Sequence, residues 1–405
     1  MRVLFVTHRA ELSGGEKSLL ELLAHFVSPA GRNLGIEPLL AVPQDGPLSA
    51  AAPLAVAARQ HGVPVSYFPL PDRVASISLS PDSLLPRFEN WTQFAVARSL
   101  GYTTAALRRI AVSERAEVVV TNSQKAHVFA ALTLLLGRPL VWYFRDVLRR
   151  TDLSLAMNLL ARARCRAVVF NSEAARQALF TSPKPIGTRL AVVHPGIADP
   201  VESSAILQKE AAALRRRLGI PKKARLLVAP GQIARWKGQD VLLQAMPEIR
   251  RSVPDAAVLI AGNVVFPENE KTYGESLYKR AEDPDLRGSV YFAGRVDPIW
   301  PALHAAELAV HCARAPEPFG RVIVESQRAG IPVIASDAGG PREIVENEKT
   351  GLLVTPGDPA LLATACIRLL RDRPLSARLA LAGAASSRRF TPAAAAEALA
   401  AILRA

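Results

Sequence analysis

The sequence predicts an α/β protein made of two Rossmann-like domains, and three observations lead to this fold class. The chain has 405 residues, more than one domain of about 100–200 residues usually contains. Short apolar, β-branched runs alternate with longer helical segments, which is typical of a parallel sheet covered by helices. The alternation pauses after residue 195 and starts again at residue 225, so it describes two sheets.

The first domain, residues 1–195, contains seven strand-like runs. They lie at residues 3–7, 38–42, 63–68, 118–121, 140–144, 168–170 and 190–194. Helical patterns separate them at residues 15–26, 48–61, 91–114, 123–136, 152–164 and 172–179. Because parallel neighbours need a crossover connection, usually a helix, this order predicts a doubly wound sheet.

The second domain, residues 225–390, repeats the alternation. Strands are predicted at residues 225–229, 258–261, 290–292, 308–311, 332–335 and 351–354. Helices are predicted at residues 239–249, 298–305, 320–328, 359–370 and 374–388. The chain between the domains, residues 196–224, contains the basic segment LRRRLG and is predicted to be a linker.

Three further segments complete the organisation. Residues 391–405 are predicted to form a last helix that braces the N-terminal domain, with Thr391 as N-cap and Pro392 at the first helical position. Residues 70–90 and 263–275 are irregular insertions longer than ordinary loops. Such insertions are either functional lids or disordered.

Composition excludes several classes of protein. Apolar residues make up 49% and charged residues 21%, which argues against a mostly disordered, collagen-like or disulfide-rich chain. The three cysteines are far apart, without metal-ligand or redox spacing, so we expect a reducing compartment. The segment MRVLFVTHRA favours a buried strand over a signal peptide, and no apolar run approaches the roughly 20 residues that span a bilayer. A cytoplasmic protein is therefore expected.

The net charge of +14 indicates an anionic partner, and residues 1–195 carry +9 of it, from 22 Lys and Arg against 13 Asp and Glu. No nucleic-acid-binding motif accompanies this charge, so nucleic acid is the least favoured partner. Phe88, Trp91 and Phe94 precede a run of arginines at positions 98, 108, 109, 149, 150, 162, 164 and 166. This pattern predicts either a peripheral contact with an anionic membrane carrying a lipid-linked acceptor, or packed aromatics beside solvated arginines.

A glycine-rich loop follows the first predicted strand. In THRAELSGGEKS, Gly14 and Gly15 stand between that strand and a helix whose first turn contains Glu16. Paired glycines allow close backbone approach, and the amides of a helix start favour phosphate or another anion. The alternative is a tight turn without a ligand. The spacing differs from G-x-G-x-x-G, so a dinucleotide site is not supported.

A second loop carries cations to a helix start. In GQIARWKGQD, Arg235 and Lys237 lie beside Gly238, just before the helix at residues 239–249. Cationic side chains and helix amides together can clamp a diphosphate. The alternative is a set of basic residues in an exposed loop.

The segment HCARAPEPFGRVIVESQ, which begins at residue 311, places Glu317 before a predicted helix and Glu325 about a turn or more inside it. Both carboxylates could accept hydrogen bonds from sugar hydroxyls. The alternative is one capping glutamate and one solvated helix residue.

These three motifs, in this order, resemble the retaining glycosyltransferases of family 4, whose GT-B architecture has two Rossmann-like domains facing a central cleft. The resemblance covers nearly the whole chain and is densest at residues 226–359, which include AGIPVIAS and the glycine pair of DAGG. It implies transfer of a hexosyl unit from a nucleotide-diphosphate sugar to a glycan, lipid-linked or small-molecule acceptor. It implies retention of anomeric configuration, no metal ion or other cofactor, and a place in polysaccharide or glycolipid biosynthesis.

The resemblance also assigns roles to residues. Glu317 would contact the donor sugar, Glu325 the ribose and Lys237 the diphosphate. The remaining donor-site positions would contact phosphate groups; they are Gly15, Phe319, Gly320, Arg321 and Val322.

Two departures from the family pattern matter. The family often has arginine where Gln232 stands, so Arg235 is expected to supply the second cation of the clamp. Many members place a histidine near the active centre where this chain has Asn122, with His127 about one helical turn later. Asn122 therefore joins Glu317 and Lys237 as a catalytic candidate. The weaker acceptor-side candidates are Gly14, His127 and Arg145.

The alternatives to this interpretation are another enzyme of the GT-B fold, such as a sugar-nucleotide epimerase or a glycogen-type phosphorylase or synthase, and a catalytically silent GT-B partner protein. A nucleic-acid-binding protein is less favoured. The presence of both glutamates and Lys237 favours the enzyme.

Overall fold

The computed structural model describes residues 1–44, 52–71, 90–132, 137–148, 151–179, 188–265 and 267–405. These residues form two compact units. Unit 1 comprises Met1–Ala198 together with Phe390–Ala405, and unit 2 comprises Asp199–Arg389. Each unit is an α/β layer structure around one parallel sheet, which confirms the predicted fold class.

Unit 1 contains a seven-stranded parallel sheet in the order β3-β2-β1-β4-β5-β6-β7. The strands are β1 (Arg2–Val6), β2 (Glu37–Gln44), β3 (Val65–Pro69), β4 (Val118–Thr121), β5 (Leu140–Phe144), β6 (Ala167–Phe170) and β7 (Arg189–Val192). All seven predicted strands are present, with ends within two residues of the predicted ones. Strands β4, β5 and β6 are buried along their whole length, as expected for strands covered by helices on both faces.

The helices of this part of unit 1 are α1 (Gly14–Val27), α2 (Pro53–Gln60), α3 (Asn90–Ser113), α4 (Gln124–Leu132), α5 (Thr151–Arg164) and α6 (Glu173–Leu179). They cover two apolar cores, one on each face of the sheet. In one core Phe5 packs against Phe26 of α1. In the other, Trp142 and Phe144 of β5 are completely buried.

Unit 2 contains a six-stranded parallel sheet in the order β10-β9-β8-β11-β12-β13. The strands are β8 (Arg225–Pro230), β9 (Ala256–Ala261), β10 (Val290–Phe292), β11 (Leu308–His311), β12 (Val333–Ser336) and β13 (Leu352–Val354). In both sheets the strand order reverses beside the first strand, between β1 and β4 and between β8 and β11. Ligands of such sheets bind at the carboxyl ends of the strands at this switch point.

The helices of unit 2 are α7 (Ser204–Arg217), α8 (Gln239–Ser252), α9 (Pro267–Ala281), α10 (Trp300–His304), α11 (Arg321–Arg328), α12 (Pro341–Ile344), α13 (Pro359–Arg371) and α14 (Arg373–Ser387). The chain then returns to unit 1 with α15 (Pro392–Arg404), which packs against α1. Thr391 caps α15 by accepting a hydrogen bond from the Ala394 amide at 3.1 Å.

Two segments differ from the sequence prediction. The segment 263–275 is not an irregular insertion, because α9 starts at Pro267 and buries Tyr273 and Leu277, four residues apart on one helix face. Most of the predicted linker 196–224 belongs to unit 2. There α7 packs against α10 and buries Leu207 and Leu214.

Some predictions lie outside the described residues: most of the insertion 70–90, Phe88, Arg149, Arg150 and the side chains of Trp91 and Phe94. Within the described part of the chain, no helix combines the length and the apolar character needed to cross a membrane.

Candidate functional site

Three side chains meet at the switch point of unit 2. Lys237 follows β8 and ends the 3-10 turn Arg235–Lys237, His311 ends β11, and Glu317 lies in the loop before α11. The Lys237 Nζ atom is 2.6 Å from Glu317 Oε2, and His311 Nε2 is 3.2 Å from the same oxygen. The side chains of Lys237 and Glu317 are only 12% and 10% exposed. The structure thus pairs the two predicted catalytic residues of this unit and adds His311.

Glu317 is held as an anion at neutral pH. Burial by itself would raise the pKa of this carboxyl group. The Lys237 ammonium and the hydrogen bonds with His311 and Lys237 outweigh burial and lower the pKa to about 2. A carboxylate with this environment can accept hydrogen bonds from hydroxyl groups throughout the physiological pH range.

Glycines allow the loops of this site to approach one another. Gly238 has φ +69°, and a Cβ atom there would lie 2.1 Å from the Cys312 carbonyl oxygen. Gly339 has φ +76° and pairs with Glu317 in an isolated bridge, where a Cβ atom would lie 2.4 Å from the Glu317 carbonyl oxygen. The Gly340 amide donates to that same oxygen at 2.8 Å. The glycine pair of the DAGG segment therefore fixes the backbone of Glu317.

The helix α11 supplies the other predicted donor-site positions. Gly320 is its N-cap, with φ +104°, and Phe319 before it is buried. The first-turn amides of a helix carry partial positive charge suited to an anion. Glu325, one turn into α11, forms an ion pair with Arg321 at 3.1 Å, and both side chains are 12% exposed. The sequence predicts a phosphate contact at Arg321 but does not indicate this side-chain contact with Glu325.

Arg235 does not join the Lys237–Glu317 pair. Its side chain is exposed, and its guanidinium lies 5.3 Å from the centre of the Tyr273 ring. The Lys237 ammonium instead lies 4.2 Å from the centre of the Trp236 ring. The structure therefore places Arg235 with α9, and the prediction that it supplies the second cation finds no support in this geometry.

In unit 1, the glycine loop begins α1. Gly14 and Gly15 are the first two residues of the helix, followed by the buried Glu16. The Glu16 carboxylate accepts hydrogen bonds from Thr7 Oγ1 at 3.2 Å and from Ser13 Oγ. This arrangement ties the loop to the carboxyl end of β1. A Cβ atom at Gly15 would lie 3.9 Å from Arg145 Cδ, so the glycine is a neighbour of the Arg145 side chain.

Asn122 and Arg145 contact each other at the carboxyl ends of β4 and β5. Arg145 Nε donates to Asn122 Oδ1 at 2.6 Å, and its guanidinium lies 4.0 Å from the centre of the Tyr143 ring. Both residues are buried. Two sequence-predicted residues are thus brought together with Gly15 at the switch point of this sheet.

His127 lies in the core of unit 1. It is 0% exposed, stacks on Trp142 and Phe144, and pairs through Nδ1 with Thr121 Oγ1 at 2.6 Å. Burial is the main cause that lowers its pKa well below the ordinary value. A ring in this position cannot contact an acceptor, so the structure contradicts an acceptor-side role for His127. The competing interpretation, a packed helix residue, accounts for it.

His8 is a further polar residue at the carboxyl end of β1 that no sequence motif indicated. Its Nδ1 atom is 2.6 Å from Ser123 Oγ, and Arg9 Nε lies 3.3 Å from its Nε2 atom. Burial and the nearby charges of Arg9 and Lys125 lower the pKa of His8 to about 3, so the ring is neutral at physiological pH. The available signal was position, since His8 is the second residue after β1, at the same end of its sheet as His311 is in unit 2.

Together, these contacts indicate what the switch point of unit 2 can bind. Unit 2 offers a carboxylate, an ammonium group and helix amides, which suit a polyhydroxylated diphosphate ligand. Across the residues that the structure describes, no three His, Cys, Asp or Glu side chains are grouped as metal ligands.

Two Rossmann-like units in one chain, each with polar groups at its switch point, define the GT-B class of architecture. The family model "Glycosyltransferase Family 4" matches residues 12–199, and "Glycosyl transferases group 1" matches residues 210–385. Between them the two models match most of the chain. The protein belongs to the family 4 glycosyltransferases, which confirms the resemblance seen in the sequence.

Individual relatives agree with this assignment. The chain is 32% identical to a D-inositol 3-phosphate glycosyltransferase of Nocardioides sp. over 217 residues, which cover 50% of this chain and 46% of that protein. It is 35% identical to a phosphatidyl-myo-inositol mannosyltransferase of Mycobacterium leprae, over 38% of this chain and 39% of that one. The chain thus spans less than half the length of these two curated relatives. The crystal structure of Anabaena HepE in complex with UDP and glucose matches all of both chains, with a TM-score of 0.79 and 25% identity.

Proposed function

We propose that this protein is a retaining glycosyltransferase that moves a hexosyl unit from a nucleotide-diphosphate sugar to a hydroxyl acceptor. The observation that carries the proposal is the buried Glu317 carboxylate, held anionic beside Lys237 and His311 at the switch point of unit 2. A sugar offers several hydroxyl donors to such a carboxylate, and its attached diphosphate offers anionic oxygens to the ammonium group. The bound UDP and glucose of the Anabaena relative support a donor of this class.

The proposed chemistry needs positive charge where the diphosphate leaves. Lys237 and the first amides of α11, at Arg321 and Val322, supply this charge, so the proposal includes no metal ion. Glu325, in the next turn of α11, is assigned to the ribose hydroxyls. The Arg321 partner of Glu325 keeps that carboxylate in place before a nucleotide binds.

Retention follows from attack on the face that the diphosphate leaves. The bond between the anomeric carbon and the phosphate oxygen breaks, and a bond from the acceptor oxygen to the same carbon forms. The acceptor proton passes to an oxygen of the departing diphosphate. This step requires no nucleophile from the protein and is the mechanism implied by family membership.

For the acceptor, we propose a phosphorylated or lipid-linked hydroxyl compound bound by unit 1. The names of the two curated relatives, which act on inositol phosphate and phosphatidylinositol, support this class. Asn122, Arg145 and Gly15 lie where such an acceptor would bind, at the switch point of the unit 1 sheet.

A peripheral membrane contact would bring a lipid-linked acceptor to unit 1. Helix α5 exposes Leu155 and Leu159, which are 61% and 56% accessible and four residues apart. Helix α3 exposes Tyr102 and Val112 beside the arginines at positions 108 and 109. Exposed apolar side chains among arginines are typical of surfaces that bind anionic lipid.

The double variant Leu155→Glu/Leu159→Glu should lose binding to vesicles containing anionic lipid at low salt. If the wild-type protein does not bind such vesicles, the proposed membrane contact is contradicted.

Ligand-induced stabilisation tests the donor site. The protein is titrated with UDP, GDP, ADP and their sugar conjugates, and the thermal unfolding midpoint is followed. A ligand at about 100 times its dissociation constant adds roughly 2.7 kcal/mol to the free energy of unfolding. We expect one nucleotide to stabilise the wild-type protein and to have no such effect on Glu325→Ala. The control Glu346→Ala, at an exposed residue, should be stabilised as the wild type is.

Transfer is tested separately from binding, by formation of free nucleoside diphosphate with and without acceptor. Glu317→Ala and Lys237→Ala should abolish turnover. Nucleotide binding without turnover in the wild-type protein would favour the alternative, a catalytically silent GT-B partner. Wild-type activity in either variant would contradict the site assignment.

A further inference from the structure

We propose that His311 is a positioning residue that turns the Glu317 carboxylate so that Oε1 is left to bind the donor sugar. The inference rests on the proposed function, since it names the atom of Glu317 that recognises the sugar. It assigns a side chain that is buried at the end of β11 and has no other polar contact among the described residues.

The two partners of Glu317 contact one oxygen. Lys237 Nζ and His311 Nε2 both approach Oε2, at 2.6 and 3.2 Å. Among the residues that the structure describes, Oε1 has no hydrogen-bond partner. The carboxylate therefore has one oxygen committed to the protein and one available to a ligand hydroxyl.

His311 can donate to Glu317 only through Nε2. A carboxylate only accepts hydrogen bonds, so the hydrogen of the ring must be on Nε2. The other ring nitrogen, Nδ1, is buried and has no hydrogen-bond partner within the described residues. An apolar side chain at this strand position would leave no polar atom unpaired. The contact with Glu317 is the polar interaction that the ring makes within the described residues, so it explains the presence of a histidine at this position.

Hydrogen bonds fix the backbones of Glu317 and His311. The Glu317 carboxylate can still rotate, and His311 controls this rotation. The Gly340 amide holds the Glu317 carbonyl at 2.8 Å, and Ser336 Oγ donates to the His311 carbonyl at 3.2 Å. Lys237 cannot hold the carboxylate alone during the reaction, because in the proposed function its ammonium turns towards the diphosphate. His311 is rigidly placed at the end of a strand and keeps Oε2 when Lys237 moves.

The test compares His311→Leu with His311→Gln, whose side-chain amide restores a donor near the Nε2 position. His304→Leu, in α10 of the same unit, controls for the loss of a histidine elsewhere. For each protein three quantities are measured: the affinity for the free nucleoside diphosphate, the affinity for the corresponding nucleotide sugar, and kcat with saturating donor. Retained affinity for the diphosphate shows that the variant is folded.

We expect His311→Leu to bind the nucleoside diphosphate as the wild type does. The ratio of its affinity for the nucleotide sugar to its affinity for the diphosphate should fall about tenfold or more, and so should its kcat. This is the usual effect of losing a hydrogen bond to a charged group. His311→Gln should recover most of both losses, and His304→Leu should show neither.

Equal sugar recognition and kcat in His311→Leu and the wild type would overturn the proposal. A loss that His311→Gln does not recover would also overturn it, since it would indicate packing alone. Failure of the proposed function looks different, because the wild-type protein itself would then bind no nucleotide sugar or transfer none.

Discussion

Replacing Lys237 with methionine removes the cation beside Glu317 while keeping most of the apolar volume of the side chain. In the folded protein the pKa of Glu317 is about 2, against an ordinary value of 4.5. This difference corresponds to about 3 kcal/mol of stability at neutral pH. Without Lys237, only His311 opposes the effect of burial, so the pKa of Glu317 should rise. We therefore expect Lys237→Met to lower the free energy of unfolding of unit 2 by about 3 kcal/mol at pH 7.

The pH dependence follows from the direction of the pKa change. Because the folded-state pKa of Glu317 lies below its unfolded-state value, the stabilisation is fully present above pH 4.5. It decreases as the pH falls below 4.5 and is lost as the pH passes through about 2. The difference in stability between wild type and Lys237→Met should therefore be largest near neutral pH and shrink across this acidic range.

Pulsed hydrogen exchange at increasing urea concentration, read on peptides that cover β11 and α11, reports the unfolding of unit 2 separately. The control is Lys349→Met, which removes an exposed lysine from a surface pair with Glu346 and should cost at most about 1 kcal/mol. Unchanged unfolding of Lys237→Met at pH 7, or a difference from wild type that persists at pH 2, would refute the reasoning.

Three further substitutions test separate parts of the structure. Gly339→Ala places a Cβ atom 2.4 Å from the Glu317 carbonyl oxygen at φ +76°, so we expect a loss of about 2 kcal/mol in urea unfolding and weaker nucleotide-sugar binding. Wild-type behaviour in both measurements would contradict this role of the glycine. His127→Phe keeps the stack on Trp142 and should retain turnover; a large loss of turnover with unchanged stability would restore its acceptor-side role. Asn122→Ala removes the hydrogen bond from Arg145 Nε, and we expect about tenfold lower turnover with unchanged nucleotide affinity. Full activity in that variant would remove Asn122 from the site.

Most strands were predictable because strands covered on both faces consist of short apolar, β-branched runs. Helix α9 was not predictable in this way, because its segment is mostly polar and its buried apolar residues, such as Tyr273 and Leu277, are few. The side chain of Arg321 and the ring of His311 were missed for a related reason. A single polar residue beside a motif carries no periodicity, and its partner is visible only in three dimensions.

The sequence by itself determined the two parallel sheets, the glycine-containing loops at their carboxyl ends and the family. These are local properties, since burial pattern and backbone freedom are encoded within a few neighbouring residues. Only the tertiary structure decided which polar groups meet. Lys237 and Glu317 are 80 residues apart in the chain, and they are joined because β8 lies beside β11 in the sheet. The same long-range packing placed His127 in the core and Arg235 beside Tyr273, because the neighbours of a side chain depend on strand order and helix packing.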